Sequence, residues 1–327
     1  MNKRINILIT SAGRRVELVQ CFQAARRELN IPGIIVAADA GATAPALFFA
    51  DKKYQVCRIN HESYVDEIIQ ICKDNQIHGI IPTLDTELAK LAEHGDHIER
   101  ESGARVILSR TDIIKIFRNK YNTADFFLKN GFLAPKYYDL ENMKYQELVY
   151  PLFIKPLDGS SSINAFKVTN EEELRFFIKY VPNALVTDYI QGNEYTVDIL
   201  CDFDGDCISI VPRKRLVVRA GEVQKGIVEK NQTIIDETRK VLEILRPIGP
   251  ITLQCIVNES GVYFIEINPR FGGGAPMSIK AGANSPKNIY RMLQGEKLSY
   301  LDNYKEGLLG IRFDQAIYIG YDGELCQ

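Results

Sequence analysis

Over its first hundred residues the chain alternates short apolar runs with longer stretches of helical periodicity. INILIT (5–10), IIVAAD (34–39) and GIIPT (79–83) are apolar at successive positions, which predicts strands covered on both faces. Between them, RRVELVQCFQAARREL (14–29), SYVDEIIQICKDNQ (63–76) and DTELAKLAEHGDHIERES (85–102) repeat apolar residues at helical spacing. DKKYQVCRI (51–59) reads as an edge strand, and RVILS (105–109) closes the series. Such alternation predicts a doubly wound parallel sheet, whose ligand crevice lies at the carboxyl ends of the strands. Those ends carry SAGRR (11–15), Asp39 and PTLDTE (82–87).

The pattern changes near residue 110. TDIIKIFRNKYNTADFFLKNG (111–131) predicts two linked helices stopped by glycine. A small α+β unit follows: strand PLFIKP (151–156), loop LDGSSSI (157–163), strand AFKV (165–168), helix NEEELRFFIKYV (170–181) and strand ALVTDYI (184–190). The remainder reads as mostly antiparallel. EYTVDILCDFDGDCISIVPRKRL (194–216) is a hairpin around Asp204-Gly205-Asp206, and QTIIDETRKVLEILRP (232–247) is a helix. ITLQCIVNESGVYFIEINP (251–269) is a second hairpin turning at 259–261, and GLLGIRF and AIYIGY are short strands near the end. Three units are expected, over 1–110, 111–190 and 191–327.

Composition narrows the class. The 327 residues are 46% hydrophobic and 25% charged with a formal charge of −2, an ordinary globular balance without a field for nucleic acid or an anionic membrane. No apolar run approaches the ~20 residues that span a bilayer, and the N-terminal apolar stretch is too short for a secretory signal. The seven cysteines are scattered without CxxC spacing and read as buried thiols of a cytoplasmic protein.

Residues 264–274, FIEINPRFGGG, carry the candidate chemistry. Strand alternation puts Tyr263, Ile265 and Ile267 on one side and Phe264, Glu266 and Asn268 on the other. Glu266 and Asn268 are then roughly 6–7 Å apart. Gln254 comes opposite them through the hairpin, completing three oxygen donors of the kind Mg²⁺ takes beside substrate phosphates. Arg270 and three glycines follow at once. In LDGSSSI, Gly159 and Ser160, Ser161 and Ser162 can turn N–H and hydroxyl groups toward an anion. Lys155, in an otherwise apolar strand, either meets that anion or reaches solvent from a sheet edge. Lys120 is a second cation, by itself indistinguishable from a solvated lysine. Glu194 opens a strand after Gly192 and is either a ribose ligand at a hinge or an exposed acid. Arg213 and Arg215 share a face in PRKRL and are placed to neutralise a phosphoryl group.

Other chemistries are absent. His94 and His97 read as a surface pair, and all four histidines precede residue 98, which argues against a Ser–His–Asp mechanism in the later half. SAGRR lacks the GxGxxG dinucleotide fingerprint, and there is no GxxxxGK[ST] loop.

NKYNTADFFLKNGFLAPKYY (119–138), YPLFIKPLDGSSSINAFKV (150–168), VTDYIQGNEYTVDIL (186–200) and ITLQCIVNESGVYFIEINPRFGGG (251–274) together resemble the ATP-grasp superfamily, above all the module of the carbamoyl-phosphate synthase large chain. The resemblance spans roughly residues 110–290 and implies a Rossmann-like pre-ATP-grasp domain followed by a two-part ATP-grasp domain. It implies Lys120 and Lys155 on ATP phosphates, with loop 158–162 closing over them. Asp188, Tyr189 and Ile190 would form the adenine hinge, with Glu194 on ribose. Gln254, Glu266 and Asn268 would hold Mg²⁺, or Mn²⁺ in its place. Arg270, helped by Arg213 or Arg215, would stabilise the phosphorylated substrate. VTDYI departs from relatives with a glutamate before the aromatic, and FGGGAPMSIKAGAN departs from a more serine-rich run, which points to a different acceptor.

The implied activity is an ATP-dependent carboxylate–amine ligase working through an acyl phosphate. Its substrates would be a small carboxylate, an amino acid among the candidates, and an amine. The crevice of Ser11–Arg15, Asp39 and Leu84–Glu87 would help bind one of them. With one module and no glutamine-hydrolysing partner, full carbamoyl-phosphate synthesis is not expected. Rival readings are a kinase of a carboxylate or carbamate, an ATP sensor without turnover, and an NAD-dependent oxidoreductase. No nucleic-acid or membrane partner is expected, and a homo-oligomer stays open.

Overall fold

The computed structural model describes residues 3–157, 163–320, 323 and 325. The first part is a parallel sheet with helices on both faces. Its elements are β1 (Asn6–Thr10), α1 (Val16–Glu28), β2 (Ile35–Asp39), β3 (Lys52–Gln55), α2 (Tyr64–Asn75), β4 (Ile77–Pro82), α3 (Asp85–Glu93), α4 (Gly95–Ser102) and β5 (Arg105–Val106). The strand order is β3-β2-β1-β4-β5, so the chain reverses direction across the sheet at β1. Alternate side chains of β1 enter two cores, which is why both faces are apolar. Ile7 and Ile9 pack with Phe22 of α1, and Leu8 packs with Val36, Ile68 and Ile80 on the other side. The helix expected over 85–102 is two helices that meet at His94 and Gly95, a poor helix residue. RVILS contributes only a two-residue strand.

Two short helices lead out of this sheet, α5 (Thr111–Arg118) and α6 (Lys120–Lys129). They are separate because Asn119 is extended and caps α6, its side chain accepting from the N–H groups of Tyr121 and Asn122. A four-stranded antiparallel sheet follows, built from β6 (Tyr137–Tyr138), β7 (Leu152–Pro156), β8 (Phe166–Val168), α7 (Glu171–Tyr180) and β9 (Ala184–Asp188) in the order β6-β9-β7-β8. Strand β6 is too short to leave a period-2 pattern.

The last and largest sheet has six strands in the order β14-β13-β10-β11-β12-β15. Its elements are β10 (Asn193–Cys201), β11 (Cys207–Arg219), β12 (Glu222–Val228), α8 (Gln232–Leu245), β13 (Gly249–Asn258), β14 (Gly261–Asn268), α9 (Ala275–Lys280), α10 (Ser285–Leu293) and β15 (Leu309–Ile311). Strand β12 went unpredicted because the β11–β12 turn is Ala220-Gly221. Both residues have positive φ, +49° and +74°, without the Asn-Gly signature such turns usually carry. AIYIGY does not form a strand among its described residues; Ile319 makes one isolated bridge to Leu325.

Strand β14 corrects one expectation. Gln254 pairs with Glu266, but the next pair is Cys255 with Phe264, so Ile265 is an extra, bulged residue. Phe264 therefore turns into the core with Ile267, stacked on Phe127 at 4.9 Å, and Ile265 joins Glu266 and Asn268 on the opposite, cavity-facing side. Beyond β14, Phe271 packs edge-on against Phe22 of α1, with ring centroids 6.1 Å apart. That contact brings residues 270–274 to the carboxyl ends of the first sheet.

Candidate active site

All three sheets meet at a cavity of about 690 Å³. The four-stranded sheet supplies Lys155 from β7 and the exit of β9, Asp188, Tyr189 and Ile190. Lys155 is largely buried. Desolvation holds its ammonium below the usual lysine range, partly offset by Glu266 and reinforced by Lys120. Lys120, at the start of α6, donates to the carbonyl of Leu157 at 2.7 Å, at the edge of the loop. Gly159, Ser160, Ser161 and Ser162 lie outside the described residues. Asp188, the last residue of β9, accepts from the Tyr138 hydroxyl at 2.7 Å.

The six-stranded sheet supplies Glu194, Arg213, Arg215, Gln254, Glu266 and Asn268. Gln254 and Glu266 are cross-strand partners, and the amide nitrogen of Asn268 donates to Glu266 Oε1 at 3.1 Å, leaving the Asn268 oxygen as an acceptor. Gln254 Oε1 accepts from Arg215 Nη1 at 3.2 Å. One carboxylate and two amide oxygens are hard donors, a set that fits Mg²⁺ or Mn²⁺. With a single negative charge among them, such an ion would need phosphate oxygens to complete its shell. Among the described residues no cluster of three His, Cys, Asp or Glu side chains forms an alternative metal site.

The arginines divide by their partners. Arg213, 1% exposed, is clamped by Asp198, with Nε to Oδ2 at 2.6 Å and Nη2 to Oδ1 at 3.1 Å. Its Nη1 is buried without a partner. Arg215 spans Gln254 and the Gly221 carbonyl, with Glu194 3.8 Å away. Arg270 is held in a fork by Asp85, its Nε 2.8 Å and its Nη2 2.5 Å from the two carboxylate oxygens.

The first sheet contributes Arg15, Thr83, Leu84 and Asp85 to the cavity wall. Of the crevice expected there, Ser11, Asp39 and Glu87 do not line it. Asp39 accepts from the N–H groups of Gly13 and Gly41 and shapes two loops. Glu87 is buried and accepts from Ser11, Tyr64, Thr83 and Leu84, tying the β1 and β4 exits together. Glu222 also lines the cavity and was missed, because it opens a strand the sequence does not announce. The glycine run leaves room for neighbouring side chains. A Cβ on Gly273 would lie 2.6 Å from Arg15 Nη1, and one on Gly274 2.7 Å from Arg213 Nη1.

A family described as "ATP-grasp in the biosynthetic pathway with Ter operon" matches residues 180–310, and "D-ala D-ala ligase C-terminus" matches 126–223. The chain thus matches ATP-grasp family domains over residues 126–310. The first sheet matches "PylC-like, N-terminal domain" over residues 7–107. A carbamoyl phosphate synthase large chain from Thermoanaerobacter sp. (strain X514) is 30% identical over 180 residues; the match takes in 50% of this chain and 16% of that one. The aligned half of the chain thus corresponds to about a sixth of that relative. Among solved structures, the biotin carboxylase domain of Hydrogenobacter thermophilus 2-oxoglutarate carboxylase, complexed with MgADP and bicarbonate, superposes with TM-score 0.69 at 20% identity, over 92% of this chain and 72% of that one. An L-amino acid ligase from Bacillus licheniformis superposes with TM-score 0.67 at 18% identity, over 90% and 75%. These likenesses show the ATP-grasp fold across nearly the whole chain. No described helix is long and apolar enough to cross a membrane.

Proposed function

We propose that the chain is an ATP-dependent carboxylate–amine ligase that forms an amide-type bond and releases ADP and phosphate. The observation that carries this reading is the single cavity onto which Lys120, Lys155, the 188–190 exit, Glu194, three oxygen donors and four arginines converge. In it, Lys120 and Lys155 hold ATP phosphates. Asp188, Tyr189 and Ile190 border adenine, Glu194 faces ribose, and the bulged Ile265 adds apolar surface for the base. Gln254, Glu266 and Asn268 would hold the divalent ion, which when bound neutralises phosphate charge.

The chemistry asks the protein for positions and charges more than for proton transfer. A substrate carboxylate oxygen attacks the γ-phosphorus, the bond from that phosphorus to the β–γ bridging oxygen breaks, and ADP leaves with the electron pair. The nitrogen of a neutral amine then attacks the acyl carbon. The bond to the phosphate oxygen breaks and the amine gives up one proton. Arg270, fixed by Asp85, sits beside the glycine run where charge on the transferred phosphoryl would accumulate. The absence of histidine from this half of the chain agrees with such a mechanism.

The test is ADP release from MgATP across a matrix of carboxylates and amines, with Glu266→Gln as the blank. Release requiring both substrates is expected. Release with carboxylates alone, yielding a free acyl phosphate, would replace the ligase by a kinase, and tight ATP binding with no turnover on any pair would leave a sensor.

A further inference from the structure

The turn end of the β10–β11 hairpin holds two thiols face to face. Cys201 ends β10 and Cys207 opens β11, and the ladder pairs them directly across the strands. The extra residue in this register is Ile208, which enters the core of the first sheet with Leu200, whereas Cys201 and Cys207 both face the core that α8 covers. The two side chains therefore project the same way. Opposed residues of an antiparallel pair have Cα atoms about 4.5–5.5 Å apart, inside the roughly 4.4–6.8 Å that a disulfide spans. The turn fixes that register. The Asp202 carboxylate accepts from the N–H groups of Asp204 and Asp206, and the Asp202 N–H donates to the Asp206 carbonyl at 2.9 Å. Arg246 adds donors to the Asp206 carboxylate and the Asp204 carbonyl. Cys201 is fully buried, and Cys207 is partly exposed. A hydrogen bond with Cys207, ahead of burial, pushes the Cys201 thiol above its ordinary range.

We propose that Cys201 and Cys207 are a reversible dithiol–disulfide pair, oxidised by exchange with a low-molecular-weight disulfide. Cys207 gives up its proton and its sulfur attacks one sulfur of the reagent. The reagent's S–S bond breaks, and the departing thiolate takes up that proton. The Cys201 sulfur, giving up its own proton, then attacks the Cys207 sulfur. The mixed disulfide breaks, and the second reagent thiolate leaves and is protonated in turn. The protein loses two hydrogen atoms with their electrons, and the reagent gains them as two thiols. The order follows exposure, since only Cys207 is reached from outside and Cys201 stays covered until its neighbour carries the adduct. Cys201 lies at the other end of β10 from Glu194, roughly 24 Å along the strand, so the bond forms away from the cavity and the inference is independent of the ligase reading.

The test equilibrates the folded full chain with oxidised and reduced glutathione at several ratios, quenches with acid, blocks the remaining thiols with iodoacetamide and maps the products by mass spectrometry. The tryptic peptide 180–213 carries both thiols. The expected product is that peptide lighter by two hydrogen atoms and free of the blocking group, with both thiols restored by dithiothreitol. It should exceed the glutathione adduct of Cys207 by about tenfold or more, because a thiol held beside the adduct outcompetes a dilute one in solution. Cys201→Ala should trap glutathione on Cys207, and Cys207→Ser should leave Cys201 reduced. The serine variant alters only a partly exposed side chain and serves if the alanine variant does not fold. Two blocked thiols at every glutathione ratio, an adduct on Cys207 that persists in the unaltered chain, or a disulfide that forms only in urea would overturn the proposal.

Discussion

Replacing Asp198 by alanine tests how the cavity wall is held. The substitution removes both acceptors of Arg213, at 2.6 and 3.1 Å, and the acceptor of the Ser278 hydroxyl. Arg213 cannot recover by reaching water, since only 1% of it is exposed. Removing one partner of a buried pair leaves an uncompensated charge and costs about 3–5 kcal/mol. That is a large share of the 5–15 kcal/mol that typically separates folded from unfolded protein. Replacing both residues, Asp198→Ala with Arg213→Met, removes the stranded charge, so the double variant should be more stable than Asp198→Ala alone. The assay is a double-mutant cycle of urea unfolding, read from midpoints and slopes. A cost below about 1 kcal/mol for Asp198→Ala, or simple additivity in the cycle, would refute the reasoning. Either result would mean that water reaches Arg213 through the cavity and that the clamp is weak.

Two further outcomes follow from the geometry. Desolvation lowers Lys155 from the ordinary 10.5, so in the free protein its proton is lost earlier than a solvated lysine's, and a phosphate partner would raise the value again. ATP affinity should therefore fall as pH rises through the depressed value. The fall should begin below pH 10.5 and be absent in Lys155→Arg, as measured by the pH dependence of KM for ATP. For Glu87, Gln can keep an oxygen on the Thr83 and Leu84 N–H groups and donate to the hydroxyls of Ser11 and Tyr64, whereas Leu strands two buried backbone donors. Glu87→Gln should cost within about 1 kcal/mol and Glu87→Leu about 3 kcal/mol or more in urea unfolding, and equal costs would show that the four contacts are dispensable.

The parallel sheet was legible because its central strands β1, β2 and β4 are buried on both faces and flanked by helices, a pattern that survives in sequence without partners. Gln254 and Glu266 could be paired in advance because a short turn fixes their register. What was lost lies in features with no periodic signature. The bulge at Ile265 inverts the face of Phe264 without changing composition. The Ala220-Gly221 turn hides β12, and with it Glu222. Arg270 was singled out, but its clamp was not, because Asp85 lies 185 residues away and nothing local links them. Arg213 was read as neutralising a phosphoryl group, but two of its three nitrogens are committed to Asp198, 15 residues away on the neighbouring strand.

The Asp85–Arg270 fork also has a consequence in time. During synthesis the carboxylate emerges 185 residues before its guanidinium, which at ~5–20 residues per second is a wait of roughly 10–40 s. Throughout that interval Asp85 stands at the first turn of α3, where the free N–H groups of the helix end favour a negative charge. The first sheet can therefore fold around this residue without its eventual partner. The cavity is closed on that side only when one of the last-made strands delivers Arg270, so the nascent chain holds a folded sheet long before it holds a complete site.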